Sequence, residues 1–374
     1  MDPLPSLFDL SLDQLREALT AQGVAGFRAQ QIWNWMYPRL ALSLDEMTDL
    51  PAPLRQRLAE QFSLSPVAIR LSATSQDRRT EKLLLALRDS QSIETVVMHY
   101  DRRHTACVST QVGCGMGCSF CATGQMGLRR NLTAGEIVAQ VLLVARRLLG
   151  QGQRLSNVVL MGMGEPFHNY DASLGAVDRL NDPDGFNFGA RRFTISTVGI
   201  VPMIERFTAE RRQINLAVSL HAATDSLRDA LIPINRRYPL AELIPACRAY
   251  VGHSGRRITF EWALIEGVND LPEQADALCS LLKGLNCHVN LIPLNPTRGY
   301  EGVGSPPDRA RAFAERLEQA GIPCTVRVRR GIDIHAGCGQ LATQAEGEPG
   351  KSPASTSAVD VEAGIGQAGE SPPD

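Results

Sequence analysis

The 374-residue sequence lacks any apolar run of 18 residues, and its N-terminal segment MDPLPSLFDLSLDQL contains no basic region followed by an apolar one. The first absence excludes a transmembrane helix and the second a secretory signal peptide. We therefore expect a cytoplasmic protein without membrane attachment. Internal repeats and coiled-coil heptads are absent too. With 44% apolar, 21% charged and 5% aromatic residues, the composition excludes fibrous and wholly disordered chains.

A strong excess of one charge is also lacking, since 38 Lys and Arg residues face 40 Asp and Glu residues. The balance is uneven along the chain, because residues 344–374 contain six acidic residues, one lysine and almost no large apolar side chains. Such a segment cannot offset the entropy cost of ordering, and we predict a disordered acidic tail. Residues 1–343 keep 37 basic against 34 acidic residues, a mild basic bias.

The first 64 residues predict a small helical accessory domain. Ser11 and Ser43 begin capping boxes, and apolar residues follow at helical spacing. Trp33, Trp35 and Tyr37 suit either a core or an RNA-binding surface. Pairs of arginine residues suit either a solvated surface or RNA phosphates. Such pairs include Arg78–Arg79, Arg102–Arg103, Arg129–Arg130, Arg191–Arg192, Arg236–Arg237 and Arg329–Arg330.

The rest of the chain predicts an α/β fold. Four β-rich runs between residues 67 and 109 indicate an antiparallel meander, of which residues 65–104 form a β extension. In residues 105–343, strands alternate with helices, which predicts right-handed crossovers and a parallel sheet, closed or partly closed into a barrel. The predicted strands are Asn157–Met161, Phe193–Thr197, Ile214–Ser219, Ile258–Leu264, Val289–Pro293 and Thr325–Val328. The predicted helices include Thr133–Leu149, Leu240–Val251, Leu271–Leu285 and Asp308–Ala320.

Cys114, Cys118 and Cys121 form a C-x3-C-x2-C run in a glycine-rich loop after the first predicted barrel strand. In a reducing compartment, clustered thiols are expected to bind a metal or to act in catalysis. Three thiolates on a short loop can ligate three irons of a [4Fe–4S] cluster and leave the fourth iron open. This ligation is typical of radical S-adenosylmethionine (SAM) enzymes. A structural zinc site is the alternative, and it needs a fourth ligand such as Cys107 or His104.

Polar or glycine residues follow the later strands, where they can surround a SAM molecule bound to the open iron. Glycine lets backbone carbonyls approach an ammonium group, and the polar groups suit ribose, carboxylate and adenine edges. Taken singly, each residue is typical of a strand end; together with the cysteine loop, they predict one cofactor site. These residues are Gly164, Glu165, Ser196, Ser219, Leu220, His221 and Asn295.

Six segments together resemble one enzyme family. They are QVGCGMGCSFCATGQMG, MGMGEP, FTISTVGIVP, LAVSLHA, NLIPLNP and RRGIDIHAGCGQL, in that order. They closely resemble the RlmN family of dual-specificity RNA methyltransferases, over about residues 10–343. The resemblance implies a partial (β/α)6-type radical SAM barrel with the antiparallel β extension and the small N-terminal helical domain. His335 and Gly337 stand where Asp and Ala are expected in this family. The surroundings of Cys338 are therefore expected to differ from those in other family members.

The resemblance also implies the chemistry. The substrates would be the adenosine at position 2503 of 23S rRNA, in the peptidyl-transferase centre, and the adenosine at position 37 of tRNA, both methylated on carbon 2. One [4Fe–4S] cluster and two SAM molecules per turnover are implied. Cys338 would carry the methyl group and a radical derived from it would add to the base. Glu94 would accept the proton of carbon 2, and Cys107 would attack Cys338 to free the product through a transient disulfide. A monomer reduced by flavodoxin or ferredoxin is expected.

Other interpretations stay open at this point. A sister enzyme that methylates carbon 8 of the same ribosomal adenine shares nearly all of these motifs. A non-catalytic iron–sulfur or zinc RNA-binding protein would instead need four protein ligands and no SAM. Glu94 in a strand is typical of an exposed face, and Cys107 is also consistent with a buried structural thiol. Core thiols are predicted at Cys247, Cys279, Cys287 and Cys324.

Overall fold

A computed structural model of the protein describes residues 4–297, 299–327 and 334. The chain begins with three short helices, α1 (Leu12–Thr20), α2 (Phe27–Met36) and α3 (Ala52–Gln61). Ser11 and Gln14 form the predicted capping box of α1, with reciprocal hydrogen bonds of 3.1 and 2.8 Å. The second predicted box also forms, but Ser43 caps only a 3-10 turn at Leu44–Glu46. The backbone leaves helical geometry at Met47, where ψ is 64°.

The helical segment packs directly on the rest of the chain. Leu7 and Phe8 are fully buried in the same apolar core as the barrel residues. Asp9 accepts a hydrogen bond of 2.7 Å from the N–H of Gly135. A Cβ atom at Gly135 would lie 2.7 Å from the same carboxylate oxygen, so this contact requires glycine. Arg146 adds an ion pair of 2.8 Å to Glu46.

Twelve strands are present in the described part of the chain. They are β1 (Val67–Thr74), β2 (Thr80–Leu87), β3 (Ser92–Tyr100), β4 (Arg103–Cys107), β5 (Gln111–Gly113), β6 (Leu128–Asn131), β7 (Asn157–Leu160), β8 (Phe193–Thr197), β9 (Asn215–Ser219), β10 (Ile258–Leu264), β11 (Cys287–Pro293) and β12 (Cys324–Val326). Ten of them form one sheet in the order β1-β2-β3-β4-β7-β8-β9-β10-β11-β12, and β5 pairs with β6. The first four are antiparallel and the pairs from β4 to β12 are parallel.

Helices connect the parallel strands, as the alternating pattern predicts. They are α4 (Ala122–Gln125), α5 (Ala134–Gly150), α6 (Tyr170–Asn181), α7 (Val201–Ala209), α8 (Asp225–Leu231), α9 (Leu240–Ser254), α10 (Pro272–Leu282) and α11 (Pro307–Gln319). The sheet order has β1 at one edge and β12 at the other, so the described residues form a partial barrel. The predicted fold class is therefore confirmed. Within the described ranges, no helix is long and apolar enough to span a membrane.

Alternate residues of each strand point to opposite faces of the sheet. In β4, Ala106 is fully buried in the main apolar core with Val141 of α5. Its neighbour Cys107 therefore points to the other face. We call this the inner face; in the parallel strands it includes Ser219, Glu261 and Asn290, which are paired across β9, β10 and β11. The inner face is consequently polar, whereas the outer face packs against helices.

Candidate active site

A cavity of about 330 Å³ lies at the carboxyl ends of the parallel strands. It is enclosed by the loop after β5 and by the turns that follow β7, β8, β9 and β11, which is where parallel α/β folds place their ligands. Most of the sequence-predicted cluster and cofactor residues line it. These are Cys114, Cys118, Cys121, Gly164, Glu165, Ser196, Ser219, His221 and Asn295. The tertiary structure thus brings together segments that are up to 180 residues apart in the chain.

The cysteine loop reaches this cavity through close backbone packing. Gly113 has a φ of 72°, and a Cβ atom there would lie 1.9 Å from the carbonyl oxygen of Gly127. A Cβ atom at Gly124 would lie 3.0 Å from the backbone nitrogen of Cys118. These glycines let the loop close on itself, so that three thiols face one volume.

Burial makes these thiols poor anions on their own. Desolvation raises the pKa of Cys114 to about 12 and raises the pKa of Cys118 further above its usual range. A bound metal centre supplies the positive charge that turns such thiols into thiolates. Among the described residues, no group of three or more His, Cys, Asp or Glu side chains is placed to hold a single metal ion. The chemistry of the donor set, three soft sulfur ligands on one wall of a cavity, is what fits an iron–sulfur cluster.

The turn after β7 carries two glycines that the fold requires. A Cβ atom at Gly164 would lie 2.6 Å from the Cβ of Gln111, and one at Gly162 would lie 2.7 Å from the carbonyl oxygen of Val108. The turn therefore packs tightly against the segment that leads from β4 into the cysteine loop. Gly164 also has a φ of 104°, which side-chain-bearing residues rarely adopt.

Glu165 is buried and already has several hydrogen-bond partners. Its two carboxylate oxygens accept hydrogen bonds from the N–H groups of Phe167, at 2.9 Å, and Val198, at 2.8 Å. Burial raises the pKa of Glu165 to about 7, although these N–H groups act in the opposite direction. Its carboxylate thus ties the turn after β7 to the turn after β8, and it lines the cavity at the same time.

The segment after β9 presents a polar group and an aromatic contact. His221 has a φ of 56°, and its Nδ1 accepts a hydrogen bond of 2.8 Å from the N–H of Ala263. Burial lowers the pKa of His221 to about 3, so the ring is neutral and its Nε2 carries the proton. Its ring meets Phe120 of the cysteine loop edge to face, at 5.0 Å between centroids. Ser219 and Ser196 bring their hydroxyl oxygens to 3.5 Å from each other.

Leu220 differs from the other predicted cofactor residues. Its side chain is fully buried in the apolar core, and it is not among the residues that line the cavity. Its N–H donates a hydrogen bond of 3.0 Å to the carbonyl oxygen of Glu261. Strand alternation turns this side chain toward the helices, so a cofactor contact by Leu220 would be made by its backbone, and its role stays a prediction.

Asn295 presents a buried hydrogen-bond acceptor to the cavity. Its Oδ1 is buried and has no hydrogen-bond partner among the described residues, and the side chain lines the cavity. A buried acceptor without a donor is costly, so such atoms in native proteins normally have a partner. A ligand that brings an amino group into the cavity satisfies this oxygen. The arrangement therefore suits a ligand that carries a hydrogen-bond donor.

Glu94 and Cys107 lie outside the cavity lining, on the inner face of neighbouring strands. Cys107 is opposite Val96 in the β3–β4 pairing, and Glu94 is two residues away on the same face. Glu94 is only 2% exposed, so the expectation of an exposed strand residue is wrong for it. Cys338, which was predicted to carry the methyl group, lies outside the described residues, as do His335, Gly337, Arg329–Arg330 and the acidic tail.

Neither candidate fourth ligand of a zinc site joins the loop cysteines in a metal-binding group among the described residues. Cys107 and His104 do not line the cavity. His104 instead places its Nδ1 at 3.0 Å from the Nδ1 of His99, across the β3–β4 pair. Of the thiols predicted to be core residues, Cys247 and Cys287 are buried, whereas Cys279 and Cys324 are only partly buried.

Arg228 is a site residue that the sequence pattern missed. It is fully buried in α8 and donates hydrogen bonds to the carbonyl oxygens of Val198, Leu220 and Ser219, at 2.6, 3.1 and 3.2 Å, and to Asn235 at 2.7 Å. Burial lowers its pKa to about 10, which leaves it charged at neutral pH. In the sequence, a buried arginine in a short helix looks the same as an exposed one. No sequence signal therefore indicated this role.

The possible RNA-binding residues divide into buried and exposed groups. Trp33 and Tyr37 are core residues, whereas Phe27 is 60% exposed and lies beneath the guanidinium of Arg28, at 4.7 Å. Most arginines of the described pairs are exposed. Arg130 is the exception, because it forms ion pairs of 2.6 Å with Asp89 and 2.8 Å with Glu136.

Comparison with known proteins agrees with this arrangement. Residues 6–64 match the ribosomal RNA large subunit methyltransferase N-terminal domain, and residues 108–279 match the radical SAM superfamily. The chain is 51% identical over 345 residues to dual-specificity RNA methyltransferase RlmN 1 of Myxococcus xanthus, covering 92% of this chain and 96% of that protein. A probable dual-specificity RNA methyltransferase RlmN of Chloroflexus aurantiacus is 50% identical, covering 90% and 92%.

A solved structure shares the fold. The crystal structure of a radical SAM methyltransferase from Sphaerobacter thermophilus superimposes with a TM-score of 0.88 at 54% sequence identity. The match covers 90% of this chain and 99% of that chain. The N-terminal helices, the antiparallel strands and the parallel strands therefore occur together in another protein with this sequence pattern.

Proposed function

Because the chain belongs to the RlmN family of radical SAM RNA methyltransferases, we propose that it methylates carbon 2 of one adenosine in 23S rRNA and of one in tRNA. The ribosomal target would lie in the peptidyl-transferase centre. The observation that carries the proposal is the joint placement of three cysteines, the Gly164–Glu165 turn and the unpaired Oδ1 of Asn295 in a single cavity.

The residues of this cavity suit a [4Fe–4S] cluster and SAM, which radical SAM enzymes use. Cys114, Cys118 and Cys121 would hold the cluster, and Asn295 with the serine hydroxyls would hold SAM. Bound together, cluster and SAM supply the one-electron chemistry that lets a carbon radical add to an electrophilic ring carbon. The protein contributes orientation and exclusion of water. We expect an electron donor such as flavodoxin or ferredoxin, two SAM molecules per turnover and a monomeric enzyme.

Three side chains outside the cavity complete the proposal. Cys338 would accept a methyl group on its sulfur and become joined to the base through it. Glu94 would take the proton of carbon 2, and Cys107 would then attack the sulfur of Cys338. The assignments of Glu94 and Cys107 are supported by their position on one face of adjacent strands.

The RNA substrate would be held mainly by charge. Exposed arginine pairs at Arg78–Arg79, Arg102–Arg103 and Arg191–Arg192 provide cations, and the exposed Phe27 beside Arg28 provides an aromatic surface for an unpaired base. The target adenosine must leave its stack to reach the enclosed cavity. We expect RNA affinity to fall steeply as salt concentration increases.

Nucleoside analysis tests the proposal directly. The anaerobically purified enzyme is incubated with SAM, reduced flavodoxin and either a 23S rRNA fragment or tRNA, and the digested RNA is examined by mass spectrometry against synthetic standards. We expect 2-methyladenosine from both RNAs and none with Cys118→Ala. Formation of 8-methyladenosine would instead identify the sister activity. Absence of any methyladenosine from enzyme that retains four irons would contradict catalysis.

A further inference from the structure

Lys82 is an unusual residue for this chain. Only three lysines occur in the sequence, Lys82, Lys283 and Lys351, and all the other basic side chains among the Lys and Arg residues are arginines. The side chain of Lys82 is fully buried in β2, and a lysine is almost never buried completely unless it is paired. Its ammonium nitrogen lies 3.0 Å from a carboxylate oxygen of Glu94, whose side chain is 2% exposed.

The strand register places this ion pair on the inner face. Val96 of β3 is opposite Lys82 of β2 on one side and opposite Cys107 of β4 on the other. Residues that are directly opposite in an antiparallel pair share a face, and Glu94 shares it because it is two residues from Val96. Lys82, Glu94 and Cys107 therefore project from the same side of three adjacent strands.

The neighbouring residues confirm this orientation. Thr95 donates a hydrogen bond of 2.9 Å to Gln140 of α5, and Glu81 is paired with Arg147 of the same helix. Both side chains point toward the outer face. Since alternate residues point in opposite directions, Lys82 and Glu94 point away from α5.

A short chain of hydrogen bonds connects Glu94 to the wall of the cavity. The hydroxyl of Ser109 donates to the carbonyl oxygen of Glu94 at 2.6 Å and accepts from the N–H of Met163 at 2.9 Å. Met163 lies between Gly162 and Gly164, which both line the cavity. The backbone position of Glu94 is thus coupled to the turn that forms the predicted cofactor site.

We propose that Lys82 is a positioning residue that keeps the Glu94 carboxylate anionic and oriented so that it can accept the proton of the target carbon. The inference rests on the proposed function, in which Glu94 is the proton acceptor. An isolated buried carboxylate takes up a proton rather than remain charged, and a protonated carboxylic acid cannot act as a base. An ammonium group at hydrogen-bond distance offsets that tendency and selects one side-chain rotamer.

The step itself is a simple proton transfer. In the covalent adduct between the protein and the adenine, the bond between carbon 2 and its hydrogen breaks. The proton passes to a carboxylate oxygen of Glu94, and the electron pair of the broken bond stays in the ring. The unpaired electron left by radical addition would pass to a one-electron acceptor, the oxidised iron–sulfur cluster, so that the ring regains its conjugation. Lys82 remains an ammonium ion throughout, so its contribution is confined to this step. Methyl transfer to the protein and SAM cleavage precede it and do not require Lys82.

The test compares Lys82→Met, Lys82→Gln and Glu94→Gln with Lys283→Met as a matched control, because Lys283 is exposed. Each cluster-containing enzyme receives RNA whose target carbon carries either hydrogen or deuterium. Formation of 5′-deoxyadenosine, methylated RNA and the covalent protein–RNA conjugate is followed in a single turnover. We expect both Lys82 variants to form 5′-deoxyadenosine within about threefold of the unmodified rate. Methylated RNA should form at least tenfold more slowly, with a larger deuterium isotope effect and accumulation of the conjugate.

The outcomes separate this inference from the proposed function. Glu94→Gln should accumulate the same conjugate; if it turns over normally, the proton-acceptor assignment itself is wrong. If Glu94→Gln accumulates the conjugate but the Lys82 variants do not, only the role of Lys82 is overturned. A parallel loss of 5′-deoxyadenosine and product, without any change in isotope effect, would make Lys82 a structural residue. If Lys82→Met does not fold, the test relies on Lys82→Gln. Glutamine can still donate a hydrogen bond to Glu94, but it lacks the charge.

Discussion

Glu165 and Arg228 hold the same residue, Val198, from opposite sides. The N–H of Val198 donates to Glu165 at 2.8 Å, and its carbonyl oxygen accepts from Arg228 at 2.6 Å. The two ionisable side chains come from the turn after β7 and from α8, and Val198 belongs to the turn after β8. The geometry of the cavity wall therefore depends on the hydrogen bonds of two buried ionisable side chains.

Arg228→Met should destabilise the protein strongly. Removing the guanidinium leaves the carbonyl oxygens of Val198, Leu220 and Ser219 without their donor inside the fold. We expect the free energy of unfolding to fall by about 3–5 kcal/mol, as for other buried charged networks. Urea denaturation measures this change. Arg311→Met is the control, because the Arg311 side chain is 67% exposed, and it should change the free energy of unfolding by less than about 0.5 kcal/mol. Equal losses of stability in the Arg228 and Arg311 variants would contradict the role of Arg228.

Replacing Cys114, Cys118 or Cys121 singly by alanine should remove the iron–sulfur cluster. Each variant leaves two thiols for a centre that needs three, so its visible charge-transfer absorption and its iron and sulfide content should fall to background. Cys279→Ala, in which a partly buried thiol of α10 is removed, should retain both. Retention of full iron by a variant that lacks all three loop cysteines would refute the assignment.

Asn295→Ala should weaken SAM binding. The unpaired Oδ1 is the acceptor that a cofactor amino group would satisfy, and loss of one such hydrogen bond costs about 1–3 kcal/mol. Calorimetric titration of the cluster-containing protein with SAM should therefore show a decrease in affinity of about fivefold or more. The exposed Asn286→Ala is the control. Unchanged affinity in the cavity variant would mean that Asn295 is satisfied by the protein itself.

Cys107→Ala should stop the reaction after the base has become attached to the protein. Without the attacking thiolate, the bond between Cys338 and the base has no partner for release. The variant should migrate on denaturing gels as a covalent RNA conjugate, whereas a double variant that also carries Cys338→Ala should form none. Cys247→Ala, at a buried thiol in α9, is the control for loss of a sulfur. Normal turnover by Cys107→Ala would reduce this residue to a buried structural thiol.

His221→Asn should alter the pH dependence of stability. The folded pKa of about 3 lies below the ordinary value of 6.5, so the unfolded chain binds a proton that the folded protein does not. The contribution of this residue to the free energy of unfolding is complete above about pH 6.5. It decreases by about 1.4 kcal/mol per pH unit as the pH falls toward 3. Asparagine tolerates the positive φ of this position and does not titrate. The variant should lose this slope between pH 6 and pH 4 in urea denaturation, and the exposed His253→Asn should keep it.

Local patterns predicted much of the secondary structure. The strands Phe193–Thr197 and Ile258–Leu264 have the bounds predicted from their apolar runs. The capping box at Thr133 and Glu136 begins α5, and the predicted helix differs from the observed one by a single residue at each end. These signals are local, because a strand or an amphipathic helix requires only its own periodicity and its terminal residues. For the helices α4, α6, α7 and α8, the sequence pattern predicted no bounds.

The sequence by itself determined the α/β order, the cysteine loop and the polar residues at the ends of the strands, because each depends on neighbouring residues. Only the tertiary structure decided how distant residues pair. It placed Lys82 beside Glu94, buried Arg228 against the segments that end β8 and β9, and turned the Leu220 side chain away from the cavity. Strand register and the direction of each side chain depend on long-range pairing, and an isolated Lys, Glu or Arg in a sequence does not show whether it meets solvent or an opposite charge.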